Sequence, residues 1–231
     1  MKNKVDRVSD YLPIKRVLLS VSDKTGLESF VNELGLLIPG VEIYSTGGTY
    51  RAIKQYLSNT NDQSGNIVLT EVSEYTGQPE TQGGLVKTLD FKIYLGLLTE
   101  EYNPEHQKDL ERTGAFQFDL VLVNLYPFEE TIRTPGSNLE DARGNIDIGG
   151  PTMIRAGAKN FLRVGVVTNP SDYLQVLQTL RKNSGTLDLE TRFVLAQKAF
   201  KHIADYDRAI SDYLLRREMS ELGIYPRLEK R

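Results

Sequence analysis

The chain has 231 residues, 28 Lys and Arg against 31 Asp and Glu, a formal net charge of -3, no Cys and two His. That length supports a full hydrophobic core, and 39% hydrophobic with 26% charged residues is too apolar for a disordered chain. Without Cys there are no disulfides, thiolate metal sites, iron–sulfur clusters or cysteine nucleophiles, and two His cannot build a His-rich metal centre.

Residues 1–15 read as a charged lead-in ending at Pro13, with one domain from residue 16 to 231. Arg16–Val21 is a short apolar run that predicts a buried strand. Lys24 to about Leu36 has helical spacing, with Leu27, Phe30, Val31 and Leu34 on one side. A second strand, 41–45, runs into Thr46-Gly47-Gly48-Thr49 and a short helix through Ala52 and Ile53; residues 58–66 are a polar loop, and 67–72 is a third strand. After the glycine-rich stretch 76–84 come an apolar patch at 93–98 and a solvent-facing helix at 104–113. Phe118–Leu125 is the most strand-like segment, and 163–167 is the next strand. Helices are expected at 139–143, 152–159 and 173–180, and mainly helical structure from 187 to 221. Strands alternating with helices predict an α/β fold with a doubly wound, mainly parallel sheet and a helical C-terminal extension.

Ligands in such sheets sit at the carboxyl ends of strands, where loops lead into helix N-termini. Ser20, Ser22, Lys24 and Thr25 follow the first strand and offer hydroxyls and a point charge to an anion. Thr46, Gly47, Gly48 and Thr49 follow the second, where glycine permits close backbone approach. Neither is a Walker loop or a GxGxxG turn. Taken singly, Ser-Asp ahead of a helix is more often an N-cap, and Gly-Gly is as often a plain turn. Two such loops on consecutive strands favour a phosphate or phosphoribosyl pocket. In a third loop, Asn145-Ile-Asp-Ile-Gly-Gly-Pro151, the carboxylate of Asp147 is either a cap or a base positioned beside backbone donors. The near balance of charge argues against nucleic-acid binding, and no apolar run reaches the roughly 18 residues of a membrane span. With no secretion-type leader in the polar start, a cytoplasmic protein is expected.

Together LLSVSDKTGL (18–27), STGGT (45–49), EVSEYTGQPE (71–80), VKTL (86–89), DLVLVNLYPFEETI (119–132), NIDIGGPTMIRAGAKN (145–160) and QKAFKHIADYDRAISDYL (197–214) resemble the IMP cyclohydrolase domain of the bifunctional AICAR formyltransferase/IMP cyclohydrolase family. The resemblance covers about residues 16–215 and implies a methylglyoxal-synthase-like fold. It also implies ring closure of FAICAR to IMP with loss of water in purine biosynthesis, a nucleotide substrate, and no cofactor or metal. It assigns catalytic roles to Lys87, Tyr126, Asp147 and Lys159: Asp147 takes the amide proton, Lys159 and Tyr126 donate to the oxyanion, and Lys87 assists as acid or orients the formyl group. Ser20, Ser22, Lys24, Thr25, Thr46, Gly47, Gly48, Thr49, Thr88, Asn124, Gly149 and Gly150 would bind substrate and its phosphate.

The pattern breaks once. Most family members read G-R-V-K-T-L-H-P-K-[IV]-H, where this chain has Leu85, Asp90, Phe91 and Tyr94 at the arginine, the His-Pro pair and the last histidine. Loss of one positive charge and gain of a negative one is expected to weaken phosphate binding or alter the substrate. The chain stops soon after Leu214, so a stand-alone cyclohydrolase or an excised domain is expected, with formyl transfer supplied by a separate protein; the apolar C-terminal helix suggests a homodimer. Two rival readings are a methylglyoxal-synthase-type lyase, disfavoured because no His accompanies the phosphate loops, and a non-catalytic effector-binding domain of the same fold.

Overall fold

The computed structural model describes residues 4–59, 66–79 and 88–228. Its first half runs β1 (Tyr11–Pro13), β2 (Arg16–Val21), α1 (Leu27–Leu37), β3 (Glu42–Ser45), α2 (Gly47–Asn59), β4 (Val68–Glu71) and α3 (Val72–Thr76). Then come α4 (Phe91–Leu98), α5 (Pro104–Thr113), β5 (Leu120–Asn124), α6 (Phe128–Arg133), α7 (Leu139–Gly144) and α8 (Gly149–Lys159). The last part is β6 (Gly165–Val167), α9 (Tyr173–Lys182), β7 (Thr186–Asp188) and α10 (Leu189–Leu215), with a 3-10 turn at Met219–Ile224.

Every apolar run expected to be a strand is one, and all five lie parallel in the order β4-β3-β2-β5-β6. A central parallel strand is covered on both faces, so it reads as a continuous hydrophobic run rather than an alternating one. Val17, Leu18 and Leu19 of β2 are accordingly all fully buried. Odd-numbered β2 residues Val17, Leu19 and Val21 share one core with α1, α9 and Ile53 of α2; Leu18, Val121 and Val123 face the other, packed against α4, α8 and α10. The sheet is therefore doubly wound. From β2 the chain moves outward through β3 to β4, then returns to place β5 on the opposite side. The strand order reverses between β2 and β5, which opens a crevice at their carboxyl ends.

The structure corrects the expected boundaries in three places. α2 begins at Gly47, inside the segment read as a loop, and α8 begins at Gly149 rather than 152. Gly-Gly reads as a turn, yet glycine is also acceptable in the first turn of a helix. Residues 60–65 of the expected polar loop lie outside the described residues. The third correction concerns the lead-in: Tyr11–Pro13 pairs antiparallel with Thr186–Asp188, and Leu12 and Ile14 are buried.

Arg192, fully buried at the start of α10, fastens this second, two-stranded sheet. Its guanidinium donates to the carbonyls of Ser9 (2.6 Å), Asp10 (3.3 Å), Leu187 (2.5 Å), Phe161 (3.1 Å) and Leu162 (3.1 Å). A charge so buried is tolerated because carbonyls replace its water on every side. Substitution Arg192→Met keeps the apolar stem and strands those acceptors. It should lower unfolding stability by about 3 kcal/mol, seen as a lower urea midpoint; an unshifted midpoint would mean that the carbonyls find water instead.

Candidate functional site

At the carboxyl ends of β2 and β5 the two backbones part, and side chains take over from the ladder. Val21 lies opposite Asn124 in the register. Beyond that pair, Asn124 Oδ1 accepts from the N–H groups of Ser22 (2.6 Å) and Asp23 (2.9 Å), and its Nδ2 donates to Asp23 O (2.8 Å). On the other side, Thr49 Oγ1 accepts from Val21 N and donates to Val21 O, both at 3.0 Å. Ser20 and Thr46 share a hydrogen bond of 2.8 Å between their hydroxyls. These contacts tie the loop after β2 to the N-terminus of α2, where the first helical N–H groups lack intrahelical acceptors. Lys24 is exposed at the mouth, its ammonium donating to Ser22 O at 3.3 Å. Hydroxyls, a helix N-terminus and an exposed cation together offer the donors and positive charge that an anion needs.

The opposite wall is the turn that starts α8. Ile148 at the helix N-cap makes no side-chain cap; instead Asp147 Oδ1 accepts from Gly150 N at 2.9 Å. The glycines here are needed for close approach. A Cβ on Gly150 would come within 2.6 Å of Asp147 Oδ2 and of Leu125, and one on Gly149 within 2.6 Å of Thr88 Oγ1. Burial raises the Asp147 carboxyl above the ordinary carboxylate range; the N–H groups of Gly150, Tyr126 and Gly149 pull it back only in part. Asp147 therefore caps the start of α8 with a carboxyl that burial makes harder to ionise.

These walls enclose a cleft of about 360 Å³, lined by Ser20, Ser22, Lys24, Thr46, Gly48, Thr49, Thr88, Asn124, Tyr126, Asp147, Gly149 and Gly150. Each of those was expected from the sequence. Thr25 and Gly47 are not in the lining: Thr25 N donates to Asp23 Oδ1 at 2.8 Å, and Gly47 is buried at the start of α2. Lys159 does not converge with the others. It is the last residue of α8, exposed, and an eleven-residue helix carries it about 15 Å from Gly149. Lys87 lies outside the described residues, although its neighbour Thr88 lines the cleft. Sequence reasoning missed Leu89 and Ile148, 38% and 61% exposed, which with half-exposed Tyr126 give the cleft an apolar rim.

The departures at 90, 91 and 94 stay out of the cleft. Asp90 caps α4: Oδ1 accepts from Lys92 N (2.8 Å) and Oδ2 from Gln78 Nε2 (2.8 Å). An N-cap aspartate followed by Phe91 starts the helix here where the family pattern has His-Pro, so the expected negative charge in the pocket is absent. Tyr94 buries its hydroxyl behind the α8 turn; burial raises its phenol, the Asp147 charge adds to the shift, and Thr152 opposes it. Leu85 lies outside the described residues. Neither His106 nor His202 lines the cleft. Among the described residues, no helix is long and apolar enough to cross a membrane and no His or acidic cluster could hold a metal ion.

The MGS-like domain model matches residues 26–152, more than half the chain, including the Thr46–Thr49 loop and the Asp147 turn and beginning just after the Ser20–Thr25 loop. The chain belongs to the MGS-like domain family. Residues 157–229 of this MGS-like chain match a second model, the AICARFT/IMPCHase bienzyme. The bifunctional purine biosynthesis proteins PurH of Chlorobium phaeobacteroides and Neisseria meningitidis are similar to it at 49% and 47% identity, each over 87% of this chain. The chain spans only 36% of the length of either relative. The crystal structure of ForH is similar at 32% identity with a TM-score of 0.71, over 86% of this chain and 95% of that one.

The raised carboxyl has a thermodynamic consequence. A carboxylate whose folded-state pKa exceeds its unfolded one destabilises the fold once ionised, and this cost disappears as pH falls below the unfolded value. Asp147→Asn, which preserves the acceptor for Gly150 N, should therefore melt at or above the wild-type temperature at pH 7. The difference should close toward pH 3 in thermal scans; a variant clearly less stable at pH 7 would contradict a desolvated carboxylate.

Proposed function

We propose that the cleft closes the six-membered ring of IMP from FAICAR, with Asp147 as general base and the β2/α2 loops as phosphate receptor. The observation that carries this reading is the pairing of a half-buried, basicity-raised carboxylate with an anion-binding helix N-terminus across one cleft. Its volume, about 360 Å³, falls in the range of small-molecule pockets. Phosphate bound at the Ser20 and Thr46 hydroxyls and the first N–H groups of α2 leaves the heterocycle to reach across toward Asp147, with Leu89, Ile148 and Tyr126 against its faces.

The carboxamide nitrogen adds to the formyl carbon of the same molecule, and its N–H proton passes to Asp147. The formyl oxygen becomes an oxyanion, accepts a hydrogen bond from the Tyr126 hydroxyl, and is protonated to a carbinolamine. Departure of that hydroxyl as water, with loss of the N–H proton of the former formamide nitrogen, leaves the C=N bond of the new ring. Both reactants belong to one imidazole, so proximity is largely intrinsic and the protein's task is to select the reactive rotamer. Lys87, adjacent in sequence to Thr88, is the proposed acid for this step. Lys159, remote from the cleft within one chain, receives no role here. A homodimer, a separate source of formylated substrate and a cytoplasmic setting belong to the same reading, the first supported by exposed Phe200, Leu214 and Leu215 on α10.

The test is direct: purified protein and FAICAR should generate the ultraviolet signature of IMP. Asp147→Asn should lower kcat by about 10²–10⁴, as expected for loss of a general base. Tyr126→Phe should lower it by roughly 10² through loss of an oxyanion donor. Nucleotide binding without turnover would favour an effector-binding domain, and methylglyoxal formed from dihydroxyacetone phosphate would favour a lyase.

A further inference from the structure

A base in ring closure must be held to within a fraction of an ångström, and the group that holds the Asp147 backbone comes from another part of the fold. Tyr206 lies in the second half of α10 and is 9% exposed. Its hydroxyl accepts from Asp147 N at 2.8 Å and donates to Asn145 O at 3.2 Å. One oxygen thus bridges both ends of the three-residue turn that aims the carboxylate. The Tyr206 ring stands edge-on to Phe128, centroids 6.2 Å apart, and Phe128 meets Tyr213 in the same manner at 5.8 Å. Phe128 is buried two residues after Tyr126, so α10 braces both segments that carry the proposed catalytic groups.

Packing alone does not need the hydroxyl. A phenylalanine would fill the same space against Phe128, whereas the tyrosine oxygen is committed to two backbone groups of the Asp147 turn. The ionisable groups facing it are Asp147, Asp207 and Tyr126; burial raises the phenol, the hydrogen bond from the Asp147 N–H pulls it back, and the charges of the three groups push it up again, so the hydroxyl remains protonated across the physiological range.

We propose that Tyr206 is a positioning residue for Asp147, so that the C-terminal helix is a working part of the cleft. The proposal rests on Asp147 acting as the base. Without the bridge, the turn's N–H and C=O turn to water, the carboxylate gains hydration, and its aim loosens. The phosphate receptor on the opposite wall is untouched.

The experiment compares the full chain with Tyr206→Phe, which keeps the ring. With FAICAR as substrate, kcat should fall about 10- to 100-fold through misalignment, while KM stays within about twofold. The acid limb of the kcat profile should move to lower pH as Asp147 becomes better hydrated. A purely structural tyrosine would lower the melting temperature and leave kcat and the acid limb in place, which would overturn the proposal; so would a rise in KM alone. If the wild-type chain does not turn over FAICAR, the ring-closure reading fails by itself, and carbon-13 NMR titration of the Asp147 carboxyl then decides the bridge. A lower midpoint in Tyr206→Phe supports it, and identical titrations overturn it.

Discussion

The constraint on which the site depends is the loss of ladder partners where β2 and β5 part. A buried backbone N–H or C=O left without a partner costs about 1–3 kcal/mol, and the crevice would otherwise contain several. Asn124 supplies both an acceptor and a donor to the loop after β2, and Thr49 does the same for Val21. The two side chains therefore do structural work that ordinary loops give to water. Because the backbone is satisfied from within, Ser20, Ser22 and Thr46 can stand along an open cleft without the loops collapsing into it.

The two walls have opposite electrostatic preferences. At the α2 side, hydroxyls, Lys24 and a helix N-terminus favour an anion. At the α8 side a carboxylate already occupies the helix start, so a second anion there would meet like charge. The N-terminus of α8 stabilises that carboxylate, and three N–H groups do so too, yet burial outweighs them and the carboxyl is shifted upward. A ligand with a phosphate at one end and an uncharged, proton-bearing group at the other would be sorted by orientation, its phosphate drawn to the α2 wall. A symmetric dianion would gain at only one of the two.

What the sequence makes legible follows from the same physics. Parallel strands buried on both faces stand out as apolar runs, and their loops can be placed at the carboxyl ends without coordinates. The starts of α2 and α8 are harder, since Gly47-Gly48 and Gly149-Gly150 look like turns and only the surrounding contacts show that they open helices. Asp90 looks like a charge lost into the pocket until its oxygens are found on Lys92 N and Gln78. Lys159 illustrates the limit of motif matching: its place in the sequence pattern is intact, but a straight helix takes it to the far end. Tyr206 was invisible for a different reason. It lies 59 residues from Asp147, and no local pattern links a tyrosine on one helix to the backbone of a distant turn.

These placements change the meaning of the C-terminal extension. α10 is 27 residues long, about 40 Å, and its two halves meet different parts of the molecule. Near its start, Arg192 gathers carbonyls from the N-terminal segment, β7 and the loop after α8. Ala196, Ala199 and Ile203 in its middle complete the core behind Val121 and Val123. Farther along, Tyr206 reaches the Asp147 turn. A rigid helix anchored by a buried charge at one end and by close packing along its length can hold a hydroxyl in place more closely than a surface loop could. Arg192 and Tyr206 thus sit on one helix, the first tying it to the N-terminal segment and β7 and the second to the turn that carries Asp147.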